Sequence, residues 1–256
     1  MFKWSGGKYQ EIRYFEPYYP EEFNTYIEPF VGAGAVLFDL FFDNNVIGDV
    51  HEELINFYKQ IKAGHSKEMH RRMSNLKVDE KTYYYVRDEF EIKDEIDLAI
   101  RFLYLRKTCF RGMSRYNGSG KFNVPYGFYD TIDYSILLDD RYEILLSDTD
   151  IRLTSYENIF EEFNSSDNFM FLDPPYDSTF TDYGYCEFGK EHHKKLAECF
   201  KKTKCKALMV VGKSELMLEE YNDYIVDRYD KNYLFRIHSG RIGDEINNEH
   251  LVIKNY

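Results

Sequence analysis

Cysteine is scarce in this chain and tryptophan nearly absent: four Cys and one Trp among 256 residues. The cysteines (Cys109, Cys186, Cys199 and Cys205) form no Cys-x-x-Cys pair and no metal-binding spacing. A disulfide scaffold and a zinc ribbon are thereby excluded, buried reduced thiols are expected, and no metal site is expected. Long apolar runs are missing too; none approaches the roughly 20 residues of a membrane-spanning helix. The stretch Met1 to Lys8 lacks the apolar core of a signal peptide, so a soluble intracellular protein is expected. An overall positive charge is also lacking. The net charge is −12 and the pI about 5.1, which argues against a polyanionic partner held by the field of the whole molecule.

Acids, however, are unevenly spread. From Leu98 to Tyr129 there is no Asp or Glu, while Arg101, Arg106, Lys107, Arg111, Arg115 and Lys121 are all basic. In so acidic a chain this stretch reads as an electrostatic footprint for phosphate. Within it, Phe110 to Pro125 reads as a loop and a β-hairpin, with Asn117-Gly118 and Ser119-Gly120 as turn residues. Arginine can read guanine through paired hydrogen bonds, and an aromatic ring can wedge between bases. Residues 52 to 110 precede it in a helical pattern, with Leu54, Ile55, Phe57, Tyr58 and Ile61 at core-facing spacings.

Short buried-strand patterns flank this region. Tyr26-Ile27-Glu28 runs into Pro29-Phe30-Val31-Gly32-Ala33-Gly34, and the apolar run from Val36 to Phe42 opens a helix. That is the strand–turn–helix context of a nucleotide-type site. Leu37 stands where a dinucleotide fingerprint needs its third glycine, so a ligand with one carboxylate or a ribose suits the turn better than a pyrophosphate. Val46 to Asp49 reads as a second strand ending in an acid placed to bind ribose hydroxyls, with helix capping as the competing role. Asp150 to Ser155 and Lys206 to Val211 read as further strands, with Tyr156 opening a helix and Gly189 to Lys202 forming another whose His192 and His193 lie on the surface. Tyr224–Tyr229, Leu234–His238 and Glu249–Tyr256 alternate as an antiparallel edge. The order predicts an α/β fold, mostly parallel with an antiparallel terminal extension.

The most informative stretch is Phe169-Met170-Phe171-Leu172-Asp173-Pro174-Pro175-Tyr176. A buried strand stops at an acid and two prolines, which cannot donate ladder hydrogen bonds. Asp173 and the Pro174 carbonyl can each accept one hydrogen of an exocyclic amine, and Tyr176 offers a face for a base. The following segment, Asp177 to Glu187, has the composition and length of an active-site cover.

Together, Lys3-Trp4-Ser5-Gly6-Gly7-Lys8, Glu28-Pro29-Phe30-Val31-Gly32-Ala33-Gly34, the Arg115-Tyr116-Asn117 and Phe122-Asn123-Val124-Pro125-Tyr126-Gly127 segments, and Asp173-Pro174-Pro175-Tyr176 resemble, in order, the Dam-type DNA adenine methyltransferases. The resemblance spans nearly the whole chain. It implies a Rossmann-like methyltransferase fold, with residues 1–51 and 135–256 as a discontinuous catalytic domain and 52–134 as a target-recognition insert bearing a hairpin at about 111–128. It also implies S-adenosylmethionine as donor, S-adenosylhomocysteine as product, and adenine N6 of flipped-out bases in duplex DNA as acceptor, in GATC or a close variant. By motif, Trp4, Lys8, Phe30, Gly32, Gly34, Asp49, Tyr156 and Asp173 fall at donor-site positions, with Asp173, Pro174 and Tyr176 catalytic. Arg115 matches a guanine reader, Pro125 a base contact, Lys3 and Tyr129 residues near the first base, and Phe110 an aromatic entering the helix. Arg111, Met113, Asn117 and Lys121 complete the DNA-facing set. A monomer is expected, and a cognate restriction endonuclease acting on the same site is a candidate partner. Arg111 departs from the small polar residue of some relatives, and Gly212-Lys213-Ser214 from the Ser-Asn of many. Alternatives are cytosine N4, RNA adenine or glutamine-amide methylation and a non-catalytic DNA-binding regulator; a dinucleotide oxidoreductase is disfavoured by Leu37.

Overall fold

The structure, a computed structural model, describes residues 2, 4, 6–176, 188–233 and 246–256. Seven strands among them make one sheet: β1 (Thr25–Glu28), β2 (Asn45–Asp49), β3 (Thr149–Leu153), β4 (Asn168–Leu172), β5 (Lys206–Gly212), β6 (Ile225–Tyr233) and β7 (Ile246–Lys254). Their spatial order is β3-β2-β1-β4-β5-β7-β6, with β1 to β5 parallel and β7 antiparallel to β5 and β6. The sheet is therefore the predicted mixed one, and β6 and β7 supply its antiparallel edge. The chain leaves β1 in one direction and returns through β4 on the other side. That reversal opens a crevice beyond the carboxyl ends of these two strands, where ligands bind in open α/β sheets.

Strand side chains alternate between two cores because successive residues point to opposite faces. Tyr26, Ile47, Phe169, Phe171 and Val210 face one side, where helices α3 (Glu52–Lys62), α4 (Ser66–Met73), α5 (Glu80–Asp88), α6 (Glu95–Thr108) and α7 (Asp140–Ser147) pack. Ile27, Val46, Met170, Met209 and Val211 face the other, under α8 (Tyr156–Glu162), α9 (Lys190–Lys202) and α10 (Glu215–Tyr221). Burial on both faces explains why β4 and β5 read as continuous apolar runs. Short-range chemistry sets the helix starts: Asp79, Asp94 and Ser214 accept from Thr82 N, Asp97 N and Met217 N and cap α5, α6 and α10. The predicted helix after the glycine turn is α2 (Ala35–Leu40), ended by left-handed Phe41.

Some expectations need correction. His193 is not a surface residue; α9 turns it inward to 1% exposure, while His192 stays exposed and its Nδ1 accepts from Gly189 N. Adjacent helical positions lie about 100° apart, so one of two neighbouring histidines can face a core and the other solvent. Cys109 and Cys205 are buried thiols, but Cys199 is half-buried. Cys186, the segment 177–187 read as a cover, the predicted strand Leu234–His238 and Lys3 lie outside the described residues.

Candidate active site

At the end of β4 the chain turns through Pro174 and Pro175, and Asp173 and Tyr176 meet Lys8. The Lys8 ammonium donates to Asp173 Oδ1 and Tyr176 Oη, both at 2.6 Å, and to Gly6 O at 3.2 Å. Lys8 is 1% exposed, whereas the Asp173 side chain keeps 21% of its surface. Burial pushes the Asp173 carboxyl up from its ordinary value, and the Lys8 charge opposes that rise. The predicted catalytic residues are thus together, with their charge locally balanced.

A second buried layer stands behind this corner, and sequence reasoning missed it. Glu11, 3% exposed, accepts from Tyr229 Oη at 2.7 Å and from Lys231, and its Oε2 lies 2.8 Å from His250 Nδ1. Burial favours a protonated Glu11, but the His250 hydrogen bond and the nearby Lys8 and Lys231 charges hold its pKa at about 2. The His250 ring meets Tyr176 edge-on at 5.5 Å, so the cluster backs the tyrosine face. Only the fold brings α1 (Ile12–Phe15), whose start follows Glu11, against β6 and β7.

The glycine turn forms the facing wall. Gly32 and Gly34 take φ of 46° and 65°, and a Cβ on Gly32 would sit 2.7 Å from Trp4 Nε1. Glycine is required there by both dihedral and space. Leu37 N donates to Glu28 Oε2 at 3.2 Å, so the amide of the missing third glycine is already engaged by a carboxyl group. Glu28 also accepts from Tyr26 Oη, and burial pushes its pKa to about 8. Asp49 accepts from Gly32 N at 3.2 Å and His51 N at 3.0 Å, and burial raises it to about 6. Capping of α3 falls instead to His51, whose Nδ1 accepts from Leu54 N.

These walls enclose a cavity of about 240 Å³ reached by Trp4, Lys8, Phe30, Gly32, Asp49, Tyr156 and Asp173. Phe30 and Tyr156 stack at 5.3 Å, and Phe188, which the sequence reading did not name, closes edge-on at 5.7 Å; Glu28 and His192, not read there as site residues, also line the cavity. Phe188 and His192 carried no motif that could have announced them; Glu28 carried one, an acid before proline at a strand end. The lining suits S-adenosylmethionine: aromatic faces for a purine, an acid at the end of β2 for ribose hydroxyls, and carboxylates and rings compatible with a sulfonium. Among the described residues no His, Cys, Asp and Glu group has metal-binding geometry.

The basic stretch divides into two sets. Arg101 pairs with Glu53 at 2.7 Å, Lys107 donates to Asp133 O, and Arg106 is only 2% exposed. All three are engaged within the fold, and Arg106 is closed off from solvent. Arg106 stacks over Trp4 at 4.7 Å and donates to Ser114 Oγ and Tyr116 Oη, both at 3.1 Å. Tyr116 also meets His51 Nε2 at 2.6 Å, linking the hairpin to the wall of the cavity. Burial and the Arg106 charge depress His51 to about 3, so it is neutral. Arg111, Met113, Arg115, Asn117, Lys121 and Pro125 are exposed, while Phe110 and Tyr129 are half-buried. Arg115 is ordered by bonds to Asn123 Oδ1 at 2.8 Å and Asn123 O at 2.9 Å. Asn117 holds the turn, accepting from Ser119 N and Lys121 N. The hairpin pairs through the isolated bridges Tyr116↔Phe122 and Cys109↔Tyr126.

Comparison with known proteins places the chain among its relatives. The type II methyltransferase M.CviBI of Paramecium bursaria Chlorella virus NC1A is 52% identical over an alignment spanning 100% of this chain and 99% of that protein. The type II methyltransferase M.MjaIII of Methanocaldococcus jannaschii is 33% identical, across 91% of this chain and 87% of its own. A DNA adenine methylase of Haemophilus influenzae is 32% identical, with 78% and 73% covered. Residues 4–240 match the family described as D12 class N6 adenine-specific DNA methyltransferase. With that match across most of its length, the chain belongs to the D12 class of N6 adenine-specific DNA methyltransferases.

Proposed function

We propose that this DNA adenine methyltransferase modifies N6 of an adenine flipped out of duplex DNA, within a short guanine-containing motif, GATC or a close variant. The carrying observation is the corner in which Lys8 bridges Asp173 and Tyr176 beside the aromatic-walled cavity. When bound, S-adenosylmethionine supplies an electrophilic methyl group. Trp4, the Phe30–Gly34 turn, Asp49 and Tyr156 hold it, in this reading. Base flipping brings the adenine to the corner, as enzymes acting on a base require. Tyr176, backed by His250, stacks on the ring. Asp173 and the Pro174 carbonyl accept the two amine hydrogens, direct the nitrogen lone pair toward the donor cavity, and stabilise positive charge developing on nitrogen. Lys8 fixes the carboxylate through Oδ1, and its charge opposes the rise in pKa that burial causes. Fixed geometry supplies much of the remaining rate.

Arg115 reads a guanine from the hairpin, and Arg111, Met113, Asn117, Lys121, Pro125, Phe110, Lys3 and Tyr129 complete the DNA contacts. Residues 52–134 act as the recognition unit on a catalytic domain built from 1–51 and 135–256. Because two relatives are type II methyltransferases, a cognate endonuclease cutting the same unmethylated site is the proposed partner.

The test is to incubate the protein and S-adenosylmethionine with unmethylated genomic DNA and map modified bases by single-molecule sequencing. N6-methyladenine in one short motif is expected. GATC supports the guanine assignment to Arg115; another motif without guanine beside the adenine removes it while keeping the enzyme. Absence of modification with the donor bound redirects the substrate to RNA or single strands.

A further inference from the structure

Among the described residues, three that are not glycine take left-handed backbone angles: Phe41, Arg111 and Phe128, with φ of 51°, 55° and 57°. Phe41 has an ordinary reason, since it ends α2 and its N–H returns to Leu37 O. Phe128 has none of that kind. It follows the hairpin strand in which Phe122, Val124 and Tyr126 are buried and Pro125 is exposed. Continued alternation would turn Phe128 inward with Tyr126. Its left-handed dihedral turns it outward instead, to 74% exposure.

The turn is held from both sides. Tyr126 Oη donates to Tyr129 O at 2.6 Å, closing the chain around Gly127 and Phe128. A Cβ on Gly127 would lie 2.3 Å from the Tyr129 ring and 2.8 Å from Cys109 O, so glycine lets the chain fold this tightly. Aromatic side chains rarely adopt such dihedrals, and strained residues gather where they serve a ligand. The neighbouring chain indicates which ligand: Phe110 N donates to Pro125 O and Gly127 N to Thr108 O, both at 2.8 Å, which sets this turn beside the segment carrying exposed Arg111. Phe128 lies in the acid-free stretch that exposes Arg111, Arg115 and Lys121.

We propose that Phe128 is a DNA-contacting residue, its ring pressed as an apolar wedge against bases of the bound duplex. This rests on the duplex-DNA reading above and adds a residue that no motif marked. Phe110, by contrast, is half-buried against the core. The wedge needs an outward aromatic ring at this point, and the locked turn provides it before DNA arrives.

The experiment compares Phe128→Gly, Phe128→Ala and Phe128→Tyr with the native protein and Arg115→Ala. A fluorescein-labelled duplex carrying the methylated motif reports DNA affinity, with S-adenosylmethionine affinity and thermal midpoint measured alongside. Loss of the ring lowers duplex affinity about tenfold, the scale of aromatic–base stacking, at unchanged donor affinity. Phe128→Tyr stays near native. Phe128→Gly keeps or raises the thermal midpoint, because glycine adopts this dihedral without strain. A residue serving the fold would do the reverse, so a lowered midpoint with parallel losses of donor and duplex affinity overturns the inference. Native duplex affinity in Phe128→Gly and Phe128→Ala, with a loss in Arg115→Ala, overturns it and leaves the DNA reading standing. A native protein that binds donor but no duplex overturns both.

Discussion

Cationic side chains meet opposite environments in two parts of the molecule. Lys8 is 1% exposed and clamped between Asp173 and Tyr176, with the buried Glu11 cluster behind it. On the hairpin, Arg111, Arg115 and Lys121 stand in solvent. A buried cation must be paired or the desolvation cost is prohibitive, so the chemistry around Lys8 is fixed before any ligand binds. An exposed cation meets no such demand, because water solvates it. In the proposed mechanism the first region is preorganised for charge that develops during reaction. The other is suited to recognition, and Arg106 and Tyr116 join the two.

The largest test of this contrast is Asp173→Ala, which removes the acceptor at the corner. Methyl transfer is expected to fall by about 10²–10³-fold or more, with fold and duplex binding retained. Near-native turnover would remove the corner from catalysis. The native pH profile should agree: burial raises the Asp173 pKa, so activity declines on acidification at a higher pH than a solvent-exposed aspartate would give. Next comes Lys8→Met, which strands a largely buried carboxylate. A loss of about 2–3 kcal/mol in stability is expected, read from urea midpoints. An unchanged midpoint would mean that the Lys8 pair is no more than a surface contact.

Arg115→Ala should behave differently. Duplex discrimination drops by about 1–3 kcal/mol, while stability stays within about 0.5 kcal/mol because the side chain is exposed. Equal weakening on every DNA sequence would recast Arg115 as a phosphate contact. A further test concerns Glu28. Its folded pKa of about 8 lies above the ordinary 4.5, so the unfolded chain releases the proton first as pH rises. Native stability therefore falls across that interval, being fullest below 4.5 and lost up to about 8. Glu28→Gln should flatten this dependence and gain on the native protein toward the upper end. Parallel curves would mean that Glu28 ionises normally.

Strands β1, β2, β4 and β5 and the Asp173–Tyr176 corner were legible because their information is local: apolar runs, proline stops and glycines at fixed spacing. Even the exclusion of a pyrophosphate site at Leu37 has a local cause, and the structure adds that Glu28 engages its amide. The basic stretch was legible only in part. Composition located it, but Arg101, Arg106 and Lys107 are used internally, and sequence alone does not reveal which cations find partners. His193 was misplaced for a related reason, since two adjacent polar residues carry no periodicity to say which faces inward.

By itself the sequence determined the mixed sheet, the glycine turn after β1, the proline-stopped corner at Asp173–Tyr176 and the presence of a basic hairpin. Each follows from backbone chemistry acting within a few residues. Tertiary structure alone decided that Lys8 neutralises Asp173, that Glu11 and His250 back Tyr176, and that Phe128 faces outward. These outcomes depend on partners up to about 240 positions away in the chain, Glu11 and His250 among them, and on burial. Desolvation then sets which groups must pair, and no short stretch of sequence encodes that requirement.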